Sequence, residues 1–332
     1  MSTSFLAAPS TAAGDFASFD VPLWVWGALV ATLAVLLVAD LLLVHRTAHA
    51  ITFKEAAIES AVWISLGLAF GVVLLVWQGS GAAGEYLAGY LIEKSLSVDN
   101  VFVWAVIFSY FGVPPKYQFR VLFWGIFGAL VLRAVFIFSG VALIERFDWI
   151  LYVFGAFLVV TAVRIARHDE SEIHPDKNPV LRLVRRIVPS TNEYDGQRLF
   201  TMRNGRRLAT PLFAVLVLIE TTDVVFAVDS IPAILAVSRE QFIVFASNAF
   251  AILGLRALYF CLAGMRDRFR YLNVGLGVIL GFVGIKMLVS GVFHFPTWAS
   301  LAVIVSVLTV TIVASLRAER TEAGVTEEVG SS

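Results

Sequence analysis

Charge is scarce in this chain: Asp, Glu, Lys and Arg make up 15% of its 332 residues, where soluble domains carry about 25%. So thin a polar skin cannot cover a water-facing globule of this length, and the mean hydropathy of +0.83 excludes that class. Cysteine is nearly absent. Cys261 stands alone in an apolar run, so no intrachain disulfide can form. Residues 1–20 contain no Lys or Arg but do contain Asp15 and Asp20, which excludes the positive n-region of a cleaved signal peptide. The tail is therefore expected to stay in the mature chain. No Walker loop, dinucleotide fingerprint or nucleophile constellation occurs, and formal net charge is zero. The expectation is a protein that is not an enzyme, carries no prosthetic group and has no nucleic-acid partner.

Long apolar runs fill the space left by charge. Ala61 to Ala83 and Phe295 to Leu316 have no charged residue, and each exceeds the roughly 20 residues a helix needs to cross the hydrocarbon. Windows of that kind predict an all-α polytopic membrane bundle of about nine transmembrane helices: 22–44, 57–79, 87–111, 119–143, 149–166, 210–236, 242–264, 270–291 and 297–316. Residues 1–20 read as an extracytoplasmic tail, 21–317 as the transmembrane domain and 318–332 as a cytoplasmic tail. With nine spans, 19 of the 25 basic residues fall on one side, ten of them from Arg164 to Arg207. The other side holds only Arg146 and Arg239. This bias predicts a multi-pass protein of the cell (inner) membrane with the N-terminus outside and the C-terminus cytoplasmic. Residues 167–209, broken by Pro and Gly, read as a cytoplasmic insert. Trp24, Trp26, Trp149 and Trp298 lie near span ends, as an aromatic belt would.

The chain also repeats itself. Val98-Asp99-Asn100 aligns with Val228-Asp229-Ser230, and an acid stands six residues before each aspartate, Glu93 and Asp223. Downstream, GALVLRAVF and AILGLRALY superpose Arg133 on Arg256, and GAFLVVTAVR matches GVILGFVGIK. Repeat one covers about 87–166 and repeat two about 210–291. Each holds three spans, an odd number, so the copies must cross the membrane in opposite senses. Inverted repeats are a transporter architecture, with the site near the midplane where the copies meet.

That places two polar interruptions, EKSLSVDN and ETTDVVFAVDSIP, at the centre. An ionised side chain there costs about 2.5–3.5 kcal/mol, so Glu93, Asp99, Glu220, Asp223 and Asp229 require partners. Lys94, Arg133, Arg256 and Lys286 are the candidate counterions or gating residues, and Asp40 and Glu59 a candidate cytoplasmic vestibule. With Asp40, six acids face four bases, a deficit that one divalent cation balances. The donors on offer are carboxylates, Asn100, Ser97, Ser230, Asn248 and carbonyls; the histidines (45, 49, 168, 174 and 294) fall in loops or at span ends. An oxygen-only set suits Mn²⁺, Mg²⁺ or Ca²⁺ rather than copper or zinc. On an unbroken helix Glu93, Ser97 and Asn100 share a face while Asp99 points about 120° away. Either the acids serve different sites or the helices unwind locally, and Pro232 favours distortion in span six.

EKSLSVDNVFVWAVIF, HPDKNP, IETTDVVFAVDSIPAI and SNAFAILGLRALYF together resemble the TerC family, over about residues 20–317. The resemblance implies a membrane protein of the wider LysE-type transporter superfamily, with manganese efflux as the activity and tellurite resistance as the historical association. The family's acidic positions fall on Glu93, Asp99, Glu220, Asp223 and Asp229, without departure. The expected function is thus export of Mn²⁺ as substrate through a midplane carboxylate site, with proton exchange as a candidate coupling and the lipid bilayer as partner. An alternative follows from plant relatives: an assembly or tellurite/stress-resistance complex partner whose buried charges only hold helices together. A third, an oxyanion route past Arg133 and Arg256, is opposed by the acids beside them. Oligomeric state is not readable from the sequence.

Overall fold

A computed structural model describes residues 16–41, 51–147, 149–167, 186, 188–191, 193–203, 205–262, 271–290, 292–293 and 296–330. The chain is an all-α membrane helical bundle. Among the described residues its helices are α1 (Leu23–Ala39), α2 (Phe53–Phe111), α3 (Pro115–Arg146), α4 (Ile150–Arg167), α5 (Pro211–Leu235), α6 (Gln241–Leu253), α7 (Leu255–Leu262), α8 (Leu272–Val289) and α9 (Thr297–Gly330). Among the described residues, five helical stretches are long and apolar enough to cross a membrane: Phe53–Phe111, Pro115–Ile144, Pro211–Leu235, Gln241–Leu262 and Trp298–Ser315. Leu23–Ala39, Ile150–Val163 and Val274–Val289 are shorter apolar helices. The five histidines lie outside the described residues.

The longest helix holds two predicted spans. α2 starts on a capping box, in which the Thr52 hydroxyl accepts the Glu55 N–H and the Glu55 carboxylate accepts the Thr52 N–H. It breaks at Gly79, whose φ of 86° and ψ of −176° suit only glycine. The chain reverses there. Tyr86 Oη donates to the Gly67 carbonyl at 2.9 Å, the Tyr90 ring lies against Gly67, and Leu87 and Tyr86 lie against Gly71. Residues 67 and 71 thus meet 90 and 86–87, which only an antiparallel pair about Gly79 allows. A Cβ on Gly67 would sit 2.7 Å from the Tyr90 ring, so glycine here sets how closely the two halves approach. Residues 80–86, expected as a loop, are helical.

The two halves of the repeat run in opposite senses. Gly155 of α4 meets Gly284 of α8, and Ala162 meets Gly281, so rising numbers in one helix meet falling numbers in the other. The second half of α2 is antiparallel to α5 in the same way: Gly89 faces Ile234, while Glu93 and Ser230 share one arginine. α3 instead runs alongside α5 in the same sense, with Gly125 on Ile219 and Gly140 on Leu235 and Ile231. Residues 242–264, predicted as one span, divide at Gly254 into α6 and α7.

Two details depart from expectation. α5 stays helical through Pro232 to Leu235, so the predicted unwinding around Asp229 is absent. The intact helix explains why the acids of α5 do not share a face. Trp24, Trp149 and Trp298 are exposed, whereas Trp26 packs edge-on against Phe242 at 5.2 Å and belongs to the core rather than the belt. Outside the helices, β1 (Phe200–Arg203) and β2 (Arg206–Ala209) form a hairpin in register Phe200 to Ala209. Tyr194 beside it donates to the Phe111 carbonyl at 2.8 Å, which docks this insert at the C-terminal end of α2.

Candidate functional site

Arg133 of α3 lies at the junction of the second half of α2, α5 and α6, fully buried at 1% exposure. Its Nη1 donates to Glu93 Oε1 of α2 and to Ser230 Oγ of α5 at 3.2 Å. Nη2 and Nε donate to the two oxygens of Asp223 at 3.0 and 3.4 Å. The fork of one guanidinium thereby joins Glu93 and Asp223, the two acids that the repeat makes equivalent. Glu93 also accepts from Ser97 Oγ at 2.9 Å and, on its other oxygen, from Asn248 Nδ2 of α6 at 3.1 Å.

Around this centre several buried acceptors lack a donor. Asn100 Oδ1, Asn248 Oδ1 and Glu220 Oε2 make no hydrogen bond. A buried polar oxygen left unpaired costs about 1–3 kcal/mol. Of these residues, Asn248 also donates to Glu93, Asn100 lies on the helix face of Glu93, and Glu220 precedes Asp223 by three residues on α5. Glu220 lies directly on Gly128 of α3, where a Cβ would come within 1.9 Å of its Oε1. Glu93, Ser97 and Asn100 are all buried on one face, as their spacing predicted, while Asp99 is half-buried on another. Asp229, also half-buried, accepts from Thr161 Oγ1 of α4 at 3.2 Å. Among the described residues no group of three or more His, Cys, Asp or Glu is arranged to hold a metal ion.

The repeat-equivalent Arg256 of α7 makes a second centre. Its Nη2 donates to Asp40 Oδ1, at 2.5 Å, and to Glu59 of α2. The guanidinium carbon lies 4.1 Å from the Phe119 ring centre. Asp40 is 5% exposed and therefore buried. The structure thus separates the two predicted counterions: Arg133 holds the acids of the repeat motif, and Arg256 holds the predicted vestibule pair. Lys94 Nζ donates to the Ala251 carbonyl at 3.2 Å, and Lys286 Nζ to Ser300 Oγ at 3.0 Å. Two acids bind each arginine, although Arg256 Nε makes no hydrogen bond.

Sequence reasoning missed Glu85, which is completely buried with Oε1 accepting the Ala17 N–H at 2.5 Å. It lay in a stretch read as a loop. The signal was its place eight residues before Glu93, two helical steps of four on the same face.

The chain matches the family described as "Integral membrane protein TerC family" over residues 78–323. It is 50% identical over 291 residues to a Myxococcus xanthus protein named "Uncharacterized membrane protein STKORF319", covering 88% of this chain and 91% of that one. It is 49% identical over 297 residues to the Escherichia coli (strain K12) protein named "Putative membrane-bound redox modulator Alx", covering 87% and 92%. A Rickettsia bellii protein named "Uncharacterized membrane protein" is 39% identical over 281 residues, covering 85% and 93%. No solved structure matches the chain.

Proposed function

Because the chain belongs to the TerC family of integral membrane proteins, we propose that it exports a divalent cation, Mn²⁺ foremost, through the Arg133 centre. One observation carries the reading: a single buried guanidinium is shared by the two repeat-equivalent acids Glu93 and Asp223. With both acids ionised, the triad keeps one negative charge, and buried oxygens without a hydrogen-bond donor lie on the helices that build it, at Asn100, Asn248 and Glu220. These donors are all oxygen, which favours Mn²⁺, Mg²⁺ or Ca²⁺.

Arg133 then acts as a tethered stand-in for cargo. With no cation bound, it neutralises the acids and avoids the desolvation penalty of bare buried charges. An arriving cation takes Glu93, and the guanidinium stays with Asp223, to which it makes two hydrogen bonds. When the cation leaves, Arg133 returns. This exchange accounts for acids that do not converge on one point while the arginine lies between them. Asp99 and Asp229, with Asn100 and Ser230, act on the approach to the centre as an equivalent pair from the two repeats. The basic-residue bias supports an inner-membrane protein with its N-terminus outside, so that efflux runs from the hairpin end toward the Gly79 turn.

A second reading rests on the Arg256 centre, which pins α1 to α2 and α7 and serves a structural role without any cargo. Extended to the whole molecule, it makes the protein an assembly or resistance-complex partner. The redox role in the name of the Escherichia coli relative does not transfer as dithiol chemistry, because this chain has one cysteine.

Purified protein in liposomes, tested with Mn²⁺, Mg²⁺, Ca²⁺ and tellurite under an imposed pH gradient, decides between them. The expected result is Mn²⁺ flux. No flux of any ion supports the partner reading.

A further inference from the structure

One line of the second half of α2 is polar or small along its whole length: Glu85, Gly89, Glu93, Ser97 and Asn100, spaced four, four, four and three residues apart. That spacing keeps side chains on one helix face, and all five positions are buried. Fifteen residues at about 1.5 Å each span about 22 Å, most of the ~30 Å hydrocarbon thickness. Polar groups from α5, α6 and the turn between them face this line. Ser247 Oγ would lie 2.8 Å from a Cβ on Gly89, Asn248 and Ser230 meet the Glu93–Arg133 pair, and Ser238 lies beside Glu85.

The end of this line opposite the hairpin is closed by the chain's own N-terminal segment. Glu85 Oε1 accepts the Ala17 N–H at 2.5 Å, while Oε2 has no partner. The Phe16 ring has the Arg239 guanidinium 5.3 Å and the Lys286 ammonium 5.8 Å from its centre. Phe19 meets Trp77 edge-on at 5.6 Å. A buried carboxylate with one bare oxygen is a poor packing element, since an apolar side chain of similar size fills the same space without the desolvation cost. What a carboxylate adds at this point is negative charge at the end of a polar line.

We propose that this line is the cation's route, that Glu85 is its outer port, and that residues 16–22 form the gate over it. The proposal rests on the cation-export reading of the Arg133 centre and adds a binding site and its regulation. The Ala17 amide and the cation compete for the same carboxylate. A port occupied by the amide is closed, and one occupied by cargo is open. Lys286, held by Ser300 close to the port, supplies the repulsion that keeps the cation from resting there.

The test uses the full chain with Cys261→Ala and a reporter, Ser247→Cys, beside Gly89, labelled by a membrane-impermeant thiol reagent from the outer face. The reporter is expected to react at least tenfold faster when Ala17→Pro removes the N–H that Glu85 accepts, and likewise when residues 2–20 are deleted. Glu85→Gln, which keeps the acceptor, should leave labelling slow and cut Mn²⁺ flux at least tenfold. Equal labelling in all variants with flux intact overturns the gate while the export reading stands. Gated labelling without Mn²⁺ flux in the parent chain overturns Mn²⁺ export itself, and with it the port's role. Unchanged flux in Glu85→Gln overturns the port.

Discussion

Arg133 and Arg256 hold equivalent places in the two predicted repeats and each binds two acids, yet the acids come from different parts of the molecule. Those on Arg133 are Glu93 and Asp223, from helices that are themselves repeat equivalents. Those on Arg256 are Asp40 and Glu59, from α1 and the first half of α2, outside both repeats. A rocking motion of one inverted half against the other changes distances between the halves. On the export reading it acts on the Arg133 centre directly, whereas the Arg256 centre ties the second repeat to α1 and the first half of α2. On that reading, identical chemistry serves as a moving joint in one place and a fastening in the other.

The strongest way to break this comparison is to remove each arginine. Arg133→Met should cost about 3–5 kcal/mol by leaving two buried acids without a cation, and Arg256→Met somewhat less because Glu59 is only half-buried, both read as a loss of melting temperature in detergent. Neutralising the acids then separates the roles. Glu93→Gln with Asp223→Asn should restore the fold of Arg133→Met but no Mn²⁺ flux. Asp40→Asn with Glu59→Gln should restore both fold and flux to Arg256→Met. If flux stays absent in that triple variant, the two centres are alike.

Single neutralisations sharpen it further. Glu93→Gln or Asp223→Asn should lower Mn²⁺ flux in liposomes at least tenfold, about 1.4 kcal/mol in the transition state. Asp40→Asn or Glu59→Gln should change it less than about threefold by the same relation. Equal losses on both sides contradict the division.

Asp99 and Asp229 test whether the repeat symmetry extends beyond the arginine centres. Asp99→Asn and Asp229→Asn should each lower manganese tolerance, and the double variant should be little worse than either, because residues of one functional unit are not additive. Well-folded single variants with full tolerance would remove this pair from the route.

Smaller effects come from the packing around each centre. Gly128→Ala pushes a Cβ into Glu220 and should cost about 1–3 kcal/mol. Gly281→Ala meets only Ala162, at an ordinary 3.6 Å, and should cost less than about 1 kcal/mol. The mildest perturbation is a tag: one at Asn192 should be reachable only from the cytoplasm and one at Ser4 only from outside. Both tags on one side would contradict the expected orientation and the direction of export.

Much of the architecture was legible before any coordinates because the bilayer is a severe solvent. Apolar length marks spans and two acidic segments in a sea of Val, Leu and Phe mark the interior. The face shared by Glu93, Ser97 and Asn100 followed from helical geometry alone. Glu85 was hidden because a seven-residue gap between apolar windows looks like a loop, although the Gly79 reversal needs only one residue with positive φ. Pro232 misled for a related reason: the loss of one amide does not unwind a helix packed on α2 and α3.

The order of residues by itself determined that this chain lives in a membrane and which side chains are too polar for their surroundings, and it predicted a duplication. Those are local properties, set by transfer free energy and helical period. Pairing was decided only in three dimensions. Nothing in the spacing says that Arg133 will bridge Glu93 and Asp223, from across the repeat, while its twin Arg256 turns to Asp40, 216 positions away in the chain. A charge in low dielectric takes whichever opposite charge the packing of helices brings within about 3 Å, and that choice belongs to the contacts between helices.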